Sequence, residues 1–158
     1  MLTSFVFGFI SPIIMFIAFR KKGLIADVDA KIKEERTFPF TISLLFYFIG
    51  LIILIAYRIN IISIAFWFCY ISNTLLIVII NKSWKISAHM MGASGPFAAL
   101  VFVFGFSALP FLILLVFIGW ARIKLECHNL DQVLAGAFLA FISTYAQIYF
   151  ITKYFGYA

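Results

Sequence analysis

Long apolar runs separated by short polar segments are the main pattern of this sequence. Four of the runs contain no Asp, Glu, Lys or Arg: residues 2–19, 37–57, 59–81 and 132–152. Each is close to the ~20 consecutive apolar residues that a helix needs to cross a bilayer. The pattern therefore predicts membrane-spanning helices.

A fifth uncharged run, residues 86–121, is too long for a single crossing. Gly105, Ser107, Ala108 and Pro110 lie near its middle, and residues of these types mark turns. With this break, the sequence predicts one domain (1–158) with an all-α fold, an integral membrane bundle of six transmembrane helices. The predicted helices cover about 2–19, 38–57, 60–81, 87–104, 109–123 and 130–152.

The composition agrees with this class. Hydrophobic residues make up 65% of the chain and charged residues only 11%, against roughly 25% charged residues in an ordinary soluble domain. The basic residues flank the apolar runs and the aromatic residues lie within them, so nucleic acid is not an expected partner. Nothing in the sequence indicates a cofactor, and the oligomeric state stays open.

The distribution of charge predicts an orientation. Six crossings place the segments 20–37, 82–86 and 122–131 on one face of the membrane, together with every basic residue except Arg58 and Lys153. Cytoplasmic loops carry an excess of Lys and Arg. We therefore expect a multi-pass protein of the cell membrane with this face in the cytoplasm.

Two polar stretches on that face, 85–89 and 122–128, contain the only two histidines of the chain. Each histidine lies at the edge of an apolar run, with Lys85 or Arg122 a few residues before it. Ionisable groups at membrane depth are costly and often functional. Two imidazoles with cationic neighbours suit phosphoryl transfer, because one can attack phosphorus while the other protonates the leaving oxygen.

Each of these residues also has a structural alternative. Ser87 and His89 open the fourth predicted helix, where Ser is a common N-cap and a histidine can simply lie at the interface. Arg122 alone is consistent with a cytoplasmic loop residue, and His128 with a loop histidine. The occurrence of both histidines on one face favours a site at the helix ends.

The residues around both histidines resemble the signatures of the type 2 phosphatidic-acid phosphatase superfamily. Ala121-Arg122, five residues, His128, three residues and Gln132-Val133-Leu134-Ala135-Gly136 is similar to its third signature, Ser-Arg-x5-His-x3-Asp followed by Val-x-x-Gly. Ile86-Ser87-Ala88-His89 resembles its second signature, Pro-Ser-Gly-His. The six-helix pattern is similar as well, so the resemblance extends over essentially the whole chain.

The resemblance implies a role for each matching position. His128 would be the nucleophile that forms a phosphohistidine, and His89 the general acid. Arg122 and Ser87 would bind the phosphate. Gln132 replaces the Asp that orients the nucleophile; its carbonyl can still accept a hydrogen bond from the imidazole. Dolichyl-diphosphate phosphatases and glucose-6-phosphatases are similar in having Gln there.

Further phosphate ligands are expected among nearby cations, namely Lys85, Arg36 and Lys33. The last two fall in a loose match to the first signature of the superfamily, Lys-x6-Arg-Pro, with Pro39 after Arg36. A solvated linker is the structural alternative for Lys33. The expected substrate is a lipid phosphate or diphosphate hydrolysed without a metal; the sequence does not say which lipid.

Two other classes of protein are alternatives for this sequence. Gly92-Ala93-Ser94-Gly95 resembles the Gly-x-Ser-Gly of rhomboid proteases, but that mechanism needs a histidine on the sixth helix, and 132–152 contains none. Small residues at this spacing also let membrane helices pack closely. A non-catalytic lipid-binding or scaffold protein with a decayed site is the remaining alternative.

Overall fold

The computed structural model describes residues 2–25 and 34–156, with side chains for 2–25 and 37–156. Within these ranges every regular element is a helix. The chain divides into two compact units, Met1–Ser83 and Trp84–Ala158. The single domain predicted for 1–158 stays a prediction.

The first unit contains three apolar helical segments. Leu2–Lys21 combines α1 (Leu2–Phe5), a π-helical segment (Val6–Ile10) and α2 (Ser11–Lys21), and it is followed by α3 (Glu34–Ala56) and α4 (Ile61–Asn81). The indole of Trp67 on α4 packs against α3: its N–H donates to the carbonyl of Tyr47 at 2.7 Å. Gly50 leaves the space that this ring fills, since a Cβ there would clash with it.

The second unit consists of α5 (Ala88–Phe104), a 3-10 helix (Gly105–Phe111), α6 (Leu112–Lys124) and α7 (Leu130–Phe155). Gly105 ends α5 with a φ of +59°, a left-handed conformation that glycine adopts without a steric penalty. The break expected near residues 105–110 is therefore present.

The chain reverses direction at this break. In one straight helix His89 and Arg122 would lie about 50 Å apart at 1.5 Å per residue. Their side chains are instead 3.5 Å apart, so α6 runs antiparallel to α5. Gly119 on α6 also packs beside Met90 on α5.

Helix α7, in contrast, runs parallel to α5. The backbone N–H of Ser87 donates to Gln132, Ser94 bonds to Ala137, and the rings of Phe97 and Phe141 lie 5.8 Å apart. Residue numbers thus increase together along both helices. As a result, the N-termini of α5 and α7 lie at the same end of the unit as the C-terminus of α6.

The predicted all-helical membrane class is confirmed at the level of apolar helices. Five helices among the described residues are long and apolar enough to cross a membrane, the fourth of them counted as Ala88–Lys124 with the reversal inside it. Helix ends agree with the prediction to within two residues, except that α3 begins four residues early, α6 begins three residues late and α7 ends three residues late.

Candidate functional site

Five residues at the common helix end are joined by hydrogen bonds, and we call them the histidine cluster. Two of the bonds are between backbones: Ser87 N–H donates to the Gln132 carbonyl, and His128 N–H to the Arg122 carbonyl. Two join side chains, Gln132 with His128 and Arg122 with His89. All five were predicted from the sequence as site residues. The structure thus brings together, within the second unit, two segments that lie more than thirty residues apart in the sequence.

The turn from α6 into α7 fixes the position of His128 relative to Arg122. Helix α6 ends in a Schellman motif, in which Cys127 N–H donates to the Arg122 carbonyl and Glu126 N–H to that of Ile123. Glu126 occupies the left-handed position with a φ of +53°. The N–H of His128 then also donates to the Arg122 carbonyl, at 3.2 Å. The five residues between Arg122 and His128 therefore correspond to the end of α6 and the turn that follows it.

The side chain of Gln132 holds the imidazole of His128. Its Oε1 lies 3.0 Å from Nδ1 of His128 and also accepts the backbone N–H of Asn129 at 3.3 Å. The Asn129 side chain in turn accepts the N–H of Gln132, completing a capping box at the start of α7. Gln132 thus supports the helix and orients the histidine.

This geometry determines the tautomer of His128. The Asn129 N–H is a donor, so an oxygen rather than the amide nitrogen of Gln132 must face it. The same oxygen faces Nδ1 of His128, which therefore carries a proton and donates it to Gln132. In the neutral imidazole, Nε2 then carries the lone pair that a nucleophile requires.

His89 contacts the guanidinium of Arg122. The Arg122 Nη1 lies 3.5 Å from the His89 Nδ1, and a guanidinium has only donors. In this contact Nδ1 is therefore the acceptor and the proton of the neutral ring is on Nε2. His89 is exposed, whereas His128 is buried.

Ser87 is the N-cap of α5. Its hydroxyl accepts the N–H of Met90 at 3.4 Å, and the side chain is fully buried. The N-cap alternative is thus observed, while direct phosphate binding by Ser87 stays a prediction. Gly136 makes the close approach of the two helices possible, because a Cβ there would lie 2.8 Å from the Ser87 carbonyl oxygen.

Lys85 connects the two polar stretches. Its Nζ donates to the carbonyl of Cys127 at 2.7 Å, directly before His128. This hydrogen bond stabilises the turn before His128 and places the positive charge of Lys85 beside that turn. Its predicted contact with phosphate is not tested by this arrangement.

The side chains of the other two predicted cations are outside the described part of the structure. Lys33 is outside the described residues. Arg36 belongs to the first turn of α3, but its side chain is outside the described part as well. Their predicted role in phosphate binding stays a prediction.

Sequence reasoning missed Asn129 and Glu126. The pattern Asn129-x-x-Gln132 was available as a capping-box signal, since Gln or Glu three residues after an N-cap is its signature. Glu126 had no such signal, because a non-glycine residue in the left-handed region cannot be recognised from residue type.

Ser94, the residue behind the protease alternative, donates its hydroxyl to the carbonyl of Ala137 at 2.6 Å. This bond ties α5 to α7 and fits the packing role of small residues. Over residues 2–25 and 34–156, no three His, Cys, Asp or Glu side chains are grouped so that they could hold a metal ion.

Comparison of the chain with protein-family models, with curated proteins and with solved structures finds no match.

Proposed function

We propose that this protein is a membrane-embedded phosphatase of the type 2 phosphatidic-acid phosphatase superfamily, which hydrolyses a lipid phosphate or diphosphate through a phosphohistidine on His128. The histidine cluster is the observation that carries the proposal. It holds His128, His89 and the Arg122 guanidinium at one helix end, and the Gln132 contact favours the tautomer of His128 that a nucleophile needs.

In the first step Nε2 of His128 attacks phosphorus and the bond to the leaving oxygen breaks. When phosphate oxygens engage the Arg122 guanidinium, His89 is released from it and takes up a proton at Nδ1. The resulting imidazolium passes its Nε2 proton to the leaving oxygen, which departs as an alcohol or a phosphate. In the second step water attacks phosphorus and the P–N bond breaks, which restores the imidazole of His128 and releases phosphate. His89, now deprotonated at Nε2, takes up the proton of this water.

The negative charge of the transferring group is met by fixed positive groups. Arg122 offers a planar fork that can hold two phosphate oxygens. The N-termini of α5 and α7 lie beside it, and helix N-termini stabilise anions through their N–H groups and dipoles. Since side chains and backbone groups fill each role, we expect activity in the presence of EDTA.

Gln132 supports a nucleophile without adding a negative charge. A carboxylate at this position would stabilise the imidazolium, whereas the neutral amide only fixes the tautomer. We infer that the uncharged partner keeps His128 in the neutral, nucleophilic form.

The membrane arrangement belongs to the same proposal. Six crossings, with α5 and α6 as separate ones, would place the histidine cluster at the cytoplasmic headgroup level of the cell membrane. There a lipid could present its phosphate while its hydrocarbon part stays in the bilayer.

Phosphate release from detergent-solubilised protein tests the proposal. Polyprenyl diphosphate, phosphatidic acid and phosphatidylglycerophosphate are offered separately, with and without EDTA. We expect at least one to be hydrolysed in EDTA, by the wild type and by Phe117→Ala on the exposed face of α6, but not by His128→Ala. Release that survives His128→Ala, or that stops with EDTA, would contradict the proposal.

A further inference from the structure

An apolar groove lies within the second unit, between α5, α6 and α7. Its volume is about 590 Å³, which is in the range of small-molecule sites. The lining side chains are apolar apart from Ser94, whose hydroxyl already donates to Ala137. The groove therefore suits a ligand that makes no hydrogen bonds.

One end of the groove lies at the level of the histidine cluster along the helices. Met90 and Ile123 line it, and they directly follow His89 and Arg122 in the sequence. Val133, the neighbour of Gln132, lines the opposite wall. A ligand in the groove can thus have one end at the guanidinium and the two imidazoles.

The length of the groove corresponds to one leaflet of a bilayer. Along α7 its lining extends from Leu130 to Phe141, which is about 16 Å at 1.5 Å per residue. This is close to half of the ~30 Å hydrocarbon core. The far end is lined by Phe97 and Phe141, whose rings lie 5.8 Å apart.

The walls of the groove favour a hydrocarbon chain over an extended protein segment. The backbone of such a segment would leave its N–H and C=O groups without partners, because the walls are apolar and the Ser94 hydroxyl already donates to Ala137. Two lining residues, Trp120 and Phe138, are 62% and 63% exposed, so the groove opens sideways toward the apolar surroundings of the helices.

We infer that this groove binds one hydrocarbon chain of the lipid whose phosphate lies at the histidine cluster, and that Phe97 and Phe141 limit its length. The inference rests on the proposed function for the position of the phosphate. Charge complementarity supports it: Arg122, Lys124 and Lys85 outnumber Glu126 and Asp131 at the mouth, while the walls are apolar. A lipid bound only through its hydrocarbon chain would gain no affinity from these cations.

Photo-crosslinking of the full chain in detergent tests the inference without requiring turnover. Two single-chain alkyl phosphates are used, one with a diazirine at the terminal carbon and one with a diazirine beside the phosphate. A neutral alcohol with the same terminal diazirine is the control probe. We expect the terminal group to label the region of Phe97 and Phe141, and the other group to label that of Met90 and Val133.

Variants on α7 provide the matched control. Ala137 lines the groove and Ala135 does not, although both are partly exposed on one helix. Ala137→Phe should reduce labelling about tenfold, the effect of displacing roughly two methylenes from an apolar site, and Ala135→Phe should leave it unchanged. Val116→Trp, against Phe117→Trp, repeats the comparison on α6 if Ala137→Phe does not fold.

Labelling spread over the exposed faces of α6 and α7, or equal labelling by the neutral alcohol, would overturn the inference. So would labelling that neither Ala137→Phe nor Val116→Trp reduces. The two proposals fail separately: phosphate release with unspecific labelling contradicts only the groove, and specific labelling without any phosphate release contradicts only the phosphatase.

Discussion

The Oε1 atom of Gln132 lies 3.0 Å from Nδ1 of His128 while it accepts the backbone N–H of Asn129. One oxygen thus caps the start of α7 and fixes the tautomer of the histidine that precedes it. Because these two functions share an atom, substitutions at position 132 can separate an orienting role from a purely structural one.

Gln132→Glu and Gln132→Leu form the decisive pair. Glu has the same shape and keeps an oxygen acceptor for both donors, so activity should be retained. Its carboxylate favours the imidazolium of His128, and the decline of activity toward acid should therefore begin at a higher pH. Leu removes the acceptor, and kcat should fall at least about tenfold, as expected for a lost hydrogen bond worth about 1.4 kcal/mol.

Measurement of kcat against pH for the wild type and both variants checks this. If Gln132 only packs, the Glu variant should be destabilised with an unchanged pH profile and the Leu variant should remain active. That pattern would refute an orienting role.

The contact between His89 and Arg122 leads to a prediction about the leaving group. If His89 protonates the leaving oxygen, His89→Ala should reduce the hydrolysis of an alkyl phosphate by roughly 10²–10⁴-fold. A nitrophenyl phosphate, whose leaving group needs no proton, should be affected far less. Steady-state kinetics with both esters on the variant measure the difference; an equal loss for the two would argue against the acid role.

Gly136 should be essential for packing of the cluster, whereas Gly92 should not. A Cβ at Gly136 would lie 2.8 Å from the Ser87 carbonyl oxygen, so Gly136→Ala should destabilise the protein by about 1–3 kcal/mol through overpacking. Gly92 on α5 has no neighbouring atom within 4 Å of that position, and Gly92→Ala should stabilise the helix by about 0.5–1 kcal/mol. Thermal unfolding in detergent compares the two; equal Tm shifts would show that the close approach is not needed.

The orientation can be read from two positions of the second unit. Phe106 is 89% exposed at the reversal after α5, and Lys124 is exposed at the end of α6. The native cysteines Cys69 and Cys127 are buried, so their background reaction with maleimide should be low. An impermeant maleimide added to intact cells should label Phe106→Cys and spare Lys124→Cys. The reverse result would place the histidine cluster outside the cytoplasm.

The helices of this protein could be predicted well from the sequence because their ends depend on local composition. The uncharged runs correspond to the observed helices, and Gly105 marks the reversal. The spacing Arg122-x5-His128 likewise reflects a local device, the turn that ends α6. Structural features that depend on a few neighbouring residues could therefore be predicted from the sequence.

Contacts between distant segments were less accessible. Nothing in the residues around Lys85 indicates that its ammonium bonds to the carbonyl of Cys127, forty-two positions away. The groove between α5, α6 and α7 also depends on how three helices pack, because each lining residue taken alone is an ordinary apolar residue of a membrane helix. These features follow from tertiary packing, which the pattern of one chain does not specify.

Direct detection of the phosphorylated residue tests the central claim most closely. A lipid phosphate labelled with ³²P is mixed with the protein in EDTA, the reaction is quenched within milliseconds, and the labelled peptide is identified by mass spectrometry. We expect an acid-labile, base-stable label on His128 that is absent in His128→Ala. It should still form in His89→Ala when the leaving group needs no proton. Hydrolysis without such a label, or a label that persists in His128→Ala, would contradict the account.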